Sequence, residues 1–171
     1  MIYHLGSAID LFIHPGEYQF ADEHFRIRTI LGSCVAVVLW HPRRRIGGMC
    51  HFMLPKRLRP SGAPLDGRYG EEALELLVRQ AAKATTPLED YVVKVFGGGN
   101  MLAPHHAAGK DVATRNAEAA LALIAARGLR IKAHSLGGIG HRHVIFDVAS
   151  GDVWVRHVSG NGSHYRSVRS A

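Results

Sequence analysis

The run CVAVVLW, residues 34–40, is apolar at every position and ends at His41-Pro42. The segment is β-rich and apolar on both of its faces, so it is predicted to be a central strand. The neighbouring segments supply sheet partners. FRIRTIL (25–31) alternates apolar and polar residues, and RIGGMCHFMLP (45–55) forms the next strand, reached through HPRRR and stopped by Pro55. KRLRPSGAPLDGRYG (56–70), rich in Gly and Pro, reads as an exposed excursion.

GRYGEEALELLVRQAAKA (67–84) places Leu74, Leu77, Val78 and Ala81 on one helical face, with Glu71 and Glu72 in the first turn. YVVKVF (91–96) is a strand that runs directly into GGGN. DVATRNAEAALALIAARG (111–128) is a second helix, with Asp111 as cap, Leu121 and Ile124 on its buried side and Gly128 as its stop. LRIKAHSL (129–136) and the hairpin HVIFDVASGDVWVRHV (143–158) complete the pattern. The predicted fold is α/β: a single compact domain over 1–171, with two principal helices and a mixed or mainly antiparallel sheet. Residues 159–171 are expected to form a flexible basic tail.

A chain of 171 residues can enclose a core without disulfides or a structural metal, and its two cysteines cannot build a disulfide framework. The N-terminus lacks the basic start and long apolar stretch of a signal peptide, and no run reaches the roughly 18 apolar residues of a spanning helix. A cytoplasmic protein without membrane insertion is therefore expected. The net charge of +7 favours an acidic partner. Its basic clusters HPRRR, PKRLR, RGLRIK and YRSVRSA carry no interleaved aromatic stripe or reader motif, which argues against nucleic acid.

Cys34 and His51 raise the question of chemistry. Composition alone makes Cys34 a small buried hydrophobe and His51 a sheet histidine bonded to a carbonyl. Position argues otherwise: Cys34 follows Gly32-Ser33 at the first position of its strand, at the rim of the core. A hairpin centred between residues 42 and 43 would place Cys34 directly opposite His51, within reach of an imidazole that helps generate the thiolate. Thr29 is a candidate to orient that imidazole. Cys50 falls on the other face of the strand, in the core.

Other motifs carry less. His105-His106, His134 and His141-x-His143 lack the spacing of a zinc site, and no metal is expected. GGGN has neither GxGxxG nor GxxxxGK spacing. Its glycines would let one wall of a cleft pass close to substrate backbone, while Asn100 either binds a carboxamide or caps a turn.

LGSCVAVVLW (31–40), GGMCHFMLP (47–55), KVFGGGNM (94–101), Arg115-Asn116 and SLGGIGHRHVIFDVASGDVWVRHV (135–158) resemble the CheD family of bacterial chemoreceptor glutamine deamidases. The resemblance implies a CheD-like cysteine hydrolase fold with Cys34 as nucleophile and His51 as general base. It also implies a threonine upstream of the nucleophile; Thr29 is the nearest match, and an alignment one residue different puts Arg28 there. The implied reaction is hydrolysis of receptor glutamine side chains to glutamate with release of ammonia, without cofactor. The implied partners are the cytoplasmic helices of methyl-accepting chemotaxis receptors, with a CheC-type phosphatase as a further partner of some members. Arg43, Arg44, Arg45, Lys56, Arg57 and Arg59 would either steer an acidic receptor surface or form a solvated face. A non-catalytic receptor-binding adaptor on the same scaffold is the alternative.

Overall fold

The computed structural model describes residues 7–101, 110–160 and 162–168. The first sheet contains β1 (Ile9–Phe12), β3 (Phe25–Leu31), β8 (His141–Asp147), β9 (Val153–Ser159) and β10 (Gly162–Val168), in that order. The second contains β2 (Tyr18–Asp22), β5 (Ile46–Phe52), β4 (Val35–His41), β6 (Val92–Gly97) and β7 (Ile131–Leu136). Only β1–β3 and β6–β7 are parallel pairs among these strands, the latter joined through α2 (Val112–Ala126). The remaining helix, α1 (Gly70–Lys83), follows the excursion after β5.

The fold has three layers: sheet, sheet and helix pair. Ile27, Leu31, Val144, Phe146 and Val153 of the first sheet meet Ala36, Val38, Trp40, Met49 and Phe96 of the second. On its other face the second sheet presents Val35, Val37, Leu39, Cys50 and Phe52 to Leu74, Leu77 and Ala81 of α1 and to Ala120 and Ile124 of α2. All seven residues of β4 are buried, because β4 is the middle strand of the middle layer. The alternation of its side chains feeds both cores at once.

Three expectations change. Residues 162–168, expected in a frayed tail, pair along β9 as β10, and Val168 is buried against the inter-sheet core. The period-two signal there is masked by Ser, His and Arg on an edge strand whose other residues are exposed. Leu121 is 42% exposed rather than buried, since Ala113, Asn116, Ala120 and Ile124 form the inward stripe of α2. The strands also divide between two sheets, which the pattern of any one strand cannot reveal.

Polar side chains bridge the sheets. Trp40 Nε1 donates to the Val148 carbonyl at 2.8 Å. Lys94, with no exposed surface, donates from Nζ to the carbonyls of Gly151 at 2.7 Å and Val168 at 3.1 Å. Burial pushes this ammonium down to about 8. Arg142 on β8 reaches Ser135 Oγ and the Gly97 carbonyl in the second sheet, and the Gly137 carbonyl just beyond β7. Replacing Lys94 by Ala removes donors from two carbonyls and opens a cavity, and is expected to cost about 2–5 kcal/mol, measured as a lower urea midpoint. A change below about 1 kcal/mol would show that the ammonium does not hold β10 and the β8–β9 turn.

Candidate active site

β3 and β5 lie in different sheets, and their inward faces meet at one end of the inter-sheet core. There Thr29 and His51, 2% and 1% exposed, form a hydrogen bond of 2.7 Å between Oγ1 and Nδ1. Thr29 Oγ1 also lies 2.8 Å from the Ile13 carbonyl oxygen, which can only accept, so the hydroxyl proton goes to Ile13. The Thr29 oxygen therefore accepts from Nδ1–H, and the basic lone pair of the imidazole sits on Nε2. His51 Nε2 is buried and has no hydrogen-bond partner among the described residues.

The backbone around His51 is held as firmly as its ring. Its N–H donates to the Glu17 carbonyl at 3.1 Å, and its carbonyl accepts from Gly16 N–H at 2.7 Å. Burial, reinforced by the nearby His14 and opposed by Glu17, pushes the imidazole down to about 4. Thr29 adds no negative charge to counter this, so the ring is neutral at physiological pH.

Cys34 is half-buried and packs against the inter-sheet core on the same face as Ala36. Its expected position directly opposite His51 is corrected by the register: His51 pairs with Ala36, and His41 with Ile46, centring the connection between residues 43 and 44. Pro42 to Arg45 form a four-residue turn in which Arg45 takes φ 47 and donates to the His41 carbonyl at 2.8 Å. This wider turn slips the pairing by an even step, so every side chain keeps its face. Carrying the register one residue beyond β4 makes Cys34 a diagonal neighbour of His51, a relation in which Cβ atoms stand roughly 7 Å apart. Burial raises the Cys34 thiol, against an opposing hydrogen bond from its own backbone N–H. The resting pair is thus a neutral thiol and a neutral imidazole.

Arg28 points to the outer face, where Nε stands 3.2 Å from Asp10 Oδ2. Of the two residues that alignment left open, the structure places Thr29 against the histidine. Cys50 faces the helices, and burial pushes its thiol up to about 12.

The turn carrying Cys34 has its three carbonyls tied from behind. Gly32 O accepts from Gly99 N–H at 2.9 Å, Ser33 O from Asn116 Nδ2 at 3.0 Å, and Cys34 O from Gly98 N–H at 2.8 Å. The glycine run therefore braces the turn that carries Cys34. Gly97 has φ +114, and a Cβ there would collide with the Cys34 carbonyl oxygen. Asn100 donates to Asp111 Oδ2 at 2.7 Å, while Asp111 Oδ1 caps α2 by accepting from Thr114 N–H. That contact links the glycine run to the start of the helix.

The basic residues do not form one front. Arg43, Arg44 and Arg45 lie at the opposite end of β4 and β5 from Cys34, about 20 Å away at the rise of a strand. Arg43 pairs with Asp90 and Arg45 with Glu23. Arg57, in the excursion after β5, forks onto the buried Glu72 at 2.9 and 3.0 Å. Arg59 donates to the Ala63 carbonyl at 3.0 Å within the same excursion. The His141 and His143 rings stand 5.2 Å apart on β8, His134 lies on β7 in the other sheet, and His105-His106 lie outside the described residues.

Two outcomes follow from this electrostatics. Iodoacetamide is expected to modify Cys34 well ahead of Cys50, at a rate that climbs through the alkaline range without the acidic plateau of a preformed thiolate–imidazolium pair. A flat rate from pH 5 to 8 would contradict the neutral resting state. Because His51 binds a proton less readily when folded, stability is complete above about pH 6.5 and declines as pH falls toward 4, by roughly 3 kcal/mol. Denaturant titrations at both ends of that window should show a shallower slope for His51→Gln; an unchanged slope would assign the acid sensitivity elsewhere.

A family model described as CheD chemotactic sensory transduction matches residues 53–157. Similar proteins include three whose names begin "Probable chemoreceptor glutamine deamidase CheD". That of Pseudomonas savastanoi pv. phaseolicola is 51% identical over 155 residues, covering 88% of this chain and 86% of its own. Those of Dechloromonas aromatica and Leptospira interrogans are 45% and 33% identical, covering 92% and 91% of this chain and 93% and 96% of theirs. Thr29, Cys34 and His51 precede the segment matched by the family model. The Pseudomonas match leaves only about 20 of the 171 residues outside, so an uninterrupted alignment of that extent must take in all three positions. A family match over more than half of the chain, together with relatives of this identity and coverage, places the chain in the CheD family.

Proposed function

We propose that the protein is a cysteine-dependent hydrolase that converts glutamine side chains of methyl-accepting chemotaxis receptors to glutamate, releasing ammonia. The observation that carries this reading is the Thr29–His51 hydrogen bond, which leaves a basic Nε2 without a partner among the described residues on the same inter-sheet face as Cys34. The relatives' names supply the substrate class.

In this reading the substrate carboxamide enters between Cys34 and His51. Nε2 takes the thiol proton as Sγ bonds to the amide carbon, so charge develops on the carbonyl oxygen at the moment of attack. The N–H groups of the Gly32-Ser33-Cys34 turn receive that oxygen. The imidazolium returns its proton to the departing nitrogen, the C–N bond breaks, and ammonia leaves behind a thioester. Water then gives a proton to Nε2 and attacks the thioester; the C–S bond breaks and the thiol is re-formed beside a new carboxylic acid. Thr29 holds the ring in the tautomer that both half-reactions use. No cofactor enters. The receptor's cytoplasmic helices are the macromolecular substrate.

The deciding measurement is peptide mass spectrometry of a receptor cytoplasmic fragment after incubation with wild type, Cys34→Ser or Thr29→Val protein. Wild type should produce an amide-to-acid mass increase at discrete glutamines. Cys34→Ser should produce none, and Thr29→Val should be slowed at least about tenfold. Receptor binding without any mass change in wild type would favour the non-catalytic adaptor.

A further inference from the structure

Asn116 is fully buried on α2, and both of its donor positions are spent on backbone carbonyls: Nδ2 lies 3.0 Å from Ser33 O and 2.8 Å from Met53 O. Its own Oδ1 is buried without a hydrogen-bond partner among the described residues. An unpaired buried acceptor costs stability, about 1–3 kcal/mol. A residue kept for packing alone would not carry that cost, so its two donors mark what it contributes.

The two carbonyls belong to segments the reaction needs aligned. Met53 is two residues beyond His51, and Ser33 directly precedes Cys34. A peptide unit is planar and trans, so the carbonyl of Ser33 and the N–H of Cys34 point in opposite directions across one rigid plane. Holding Ser33 O against α2 therefore turns the Cys34 N–H away from the helix, toward the side where the thiol sits. The carbonyls on either side, Gly32 O and Cys34 O, are held by backbone donors. Among the described residues, the Ser33–Cys34 plane alone in this turn is oriented by a side chain.

We infer that Asn116 is a positioning residue: its amide clamps the Ser33 and Met53 carbonyls and thereby aims the Cys34 N–H at the oxygen that becomes negative during attack on the carboxamide. This rests on the deamidase reading above. It separates two properties of the same cysteine. Deamidation requires an oxyanion donor, whereas displacement of iodide from iodoacetamide builds no charge on a carbonyl oxygen.

The test uses full-length wild type, Asn116→Ala and Asn116→Ser in both reactions. The alanine variant is expected to lose about 100-fold in kcat on the receptor fragment, with KM changed less than about threefold. Its Cys34 alkylation rate should stay within about twofold of wild type. The serine variant, whose hydroxyl can donate to one carbonyl, should fall between the two. Alkylation that drops in parallel with turnover would overturn the inference, because Asn116 would then be holding the thiol–imidazole pair or the fold. Retained turnover would overturn it directly, as would failure of both variants to fold. Should wild type alkylate at Cys34 yet leave every receptor glutamine intact, the deamidase reading itself falls and takes this inference with it.

Discussion

The hydrogen bond from His51 Nδ1 to Thr29 Oγ1 is made between two sheets, and much of the molecule is organised so that it can form. Each strand contributes a residue to the inner face of its own sheet. The bond exists only if the sheets are stacked at the right separation and register. Apolar packing supplies the separation, but it is non-directional and sets register weakly. The polar bridges supply direction. Arg142 fastens β8 to the ends of β6 and β7 near the site, and Lys94 and Trp40 fasten the hairpin turn and β10 to the second sheet.

A threonine in this position has a different effect from a carboxylate. It orients the ring and selects the tautomer without stabilising an imidazolium, and burial then keeps the free site neutral. The ionic thiolate state is avoided at rest. In the proposed reaction proton transfer is coupled to bond formation, so the nucleophile would be generated where a carboxamide is already in place. The half-buried thiol is correspondingly less exposed to adventitious oxidation than a standing thiolate would be.

The second layer of control lies behind the cysteine. The glycine run after β6 passes so close to the Cys34 turn that its backbone amides can hold the carbonyls of Gly32 and Cys34. Asn116 holds the carbonyl between them. Fixing carbonyls on one side of a planar peptide fixes N–H groups on the other. In the proposed reaction a buried helix side chain would thus act on the reacting oxygen without approaching it.

Much of this was legible in the residues themselves. The uniformly apolar CVAVVLW required cover on both faces, and a three-layer fold supplies it. Side-chain alternation put Cys34 and His51 on one face and Cys50 on the other, a result that survived an even slip of the hairpin register. The positions of both helices followed from their apolar spacing, and Asp111 from its place before the second. Tertiary structure alone decided which residue meets His51 Nδ1, that the strands form two sheets, and that residues 162–168 complete one of them. It also decided that Lys94, Arg142 and Asn116, ordinary surface or helix residues by type, are buried and spend their donors on distant carbonyls. The physical reason is that periodicity reports which face a side chain takes within its own element. It contains no information about which carbonyl, many residues away in sequence, the fold will bring within 3 Å of it.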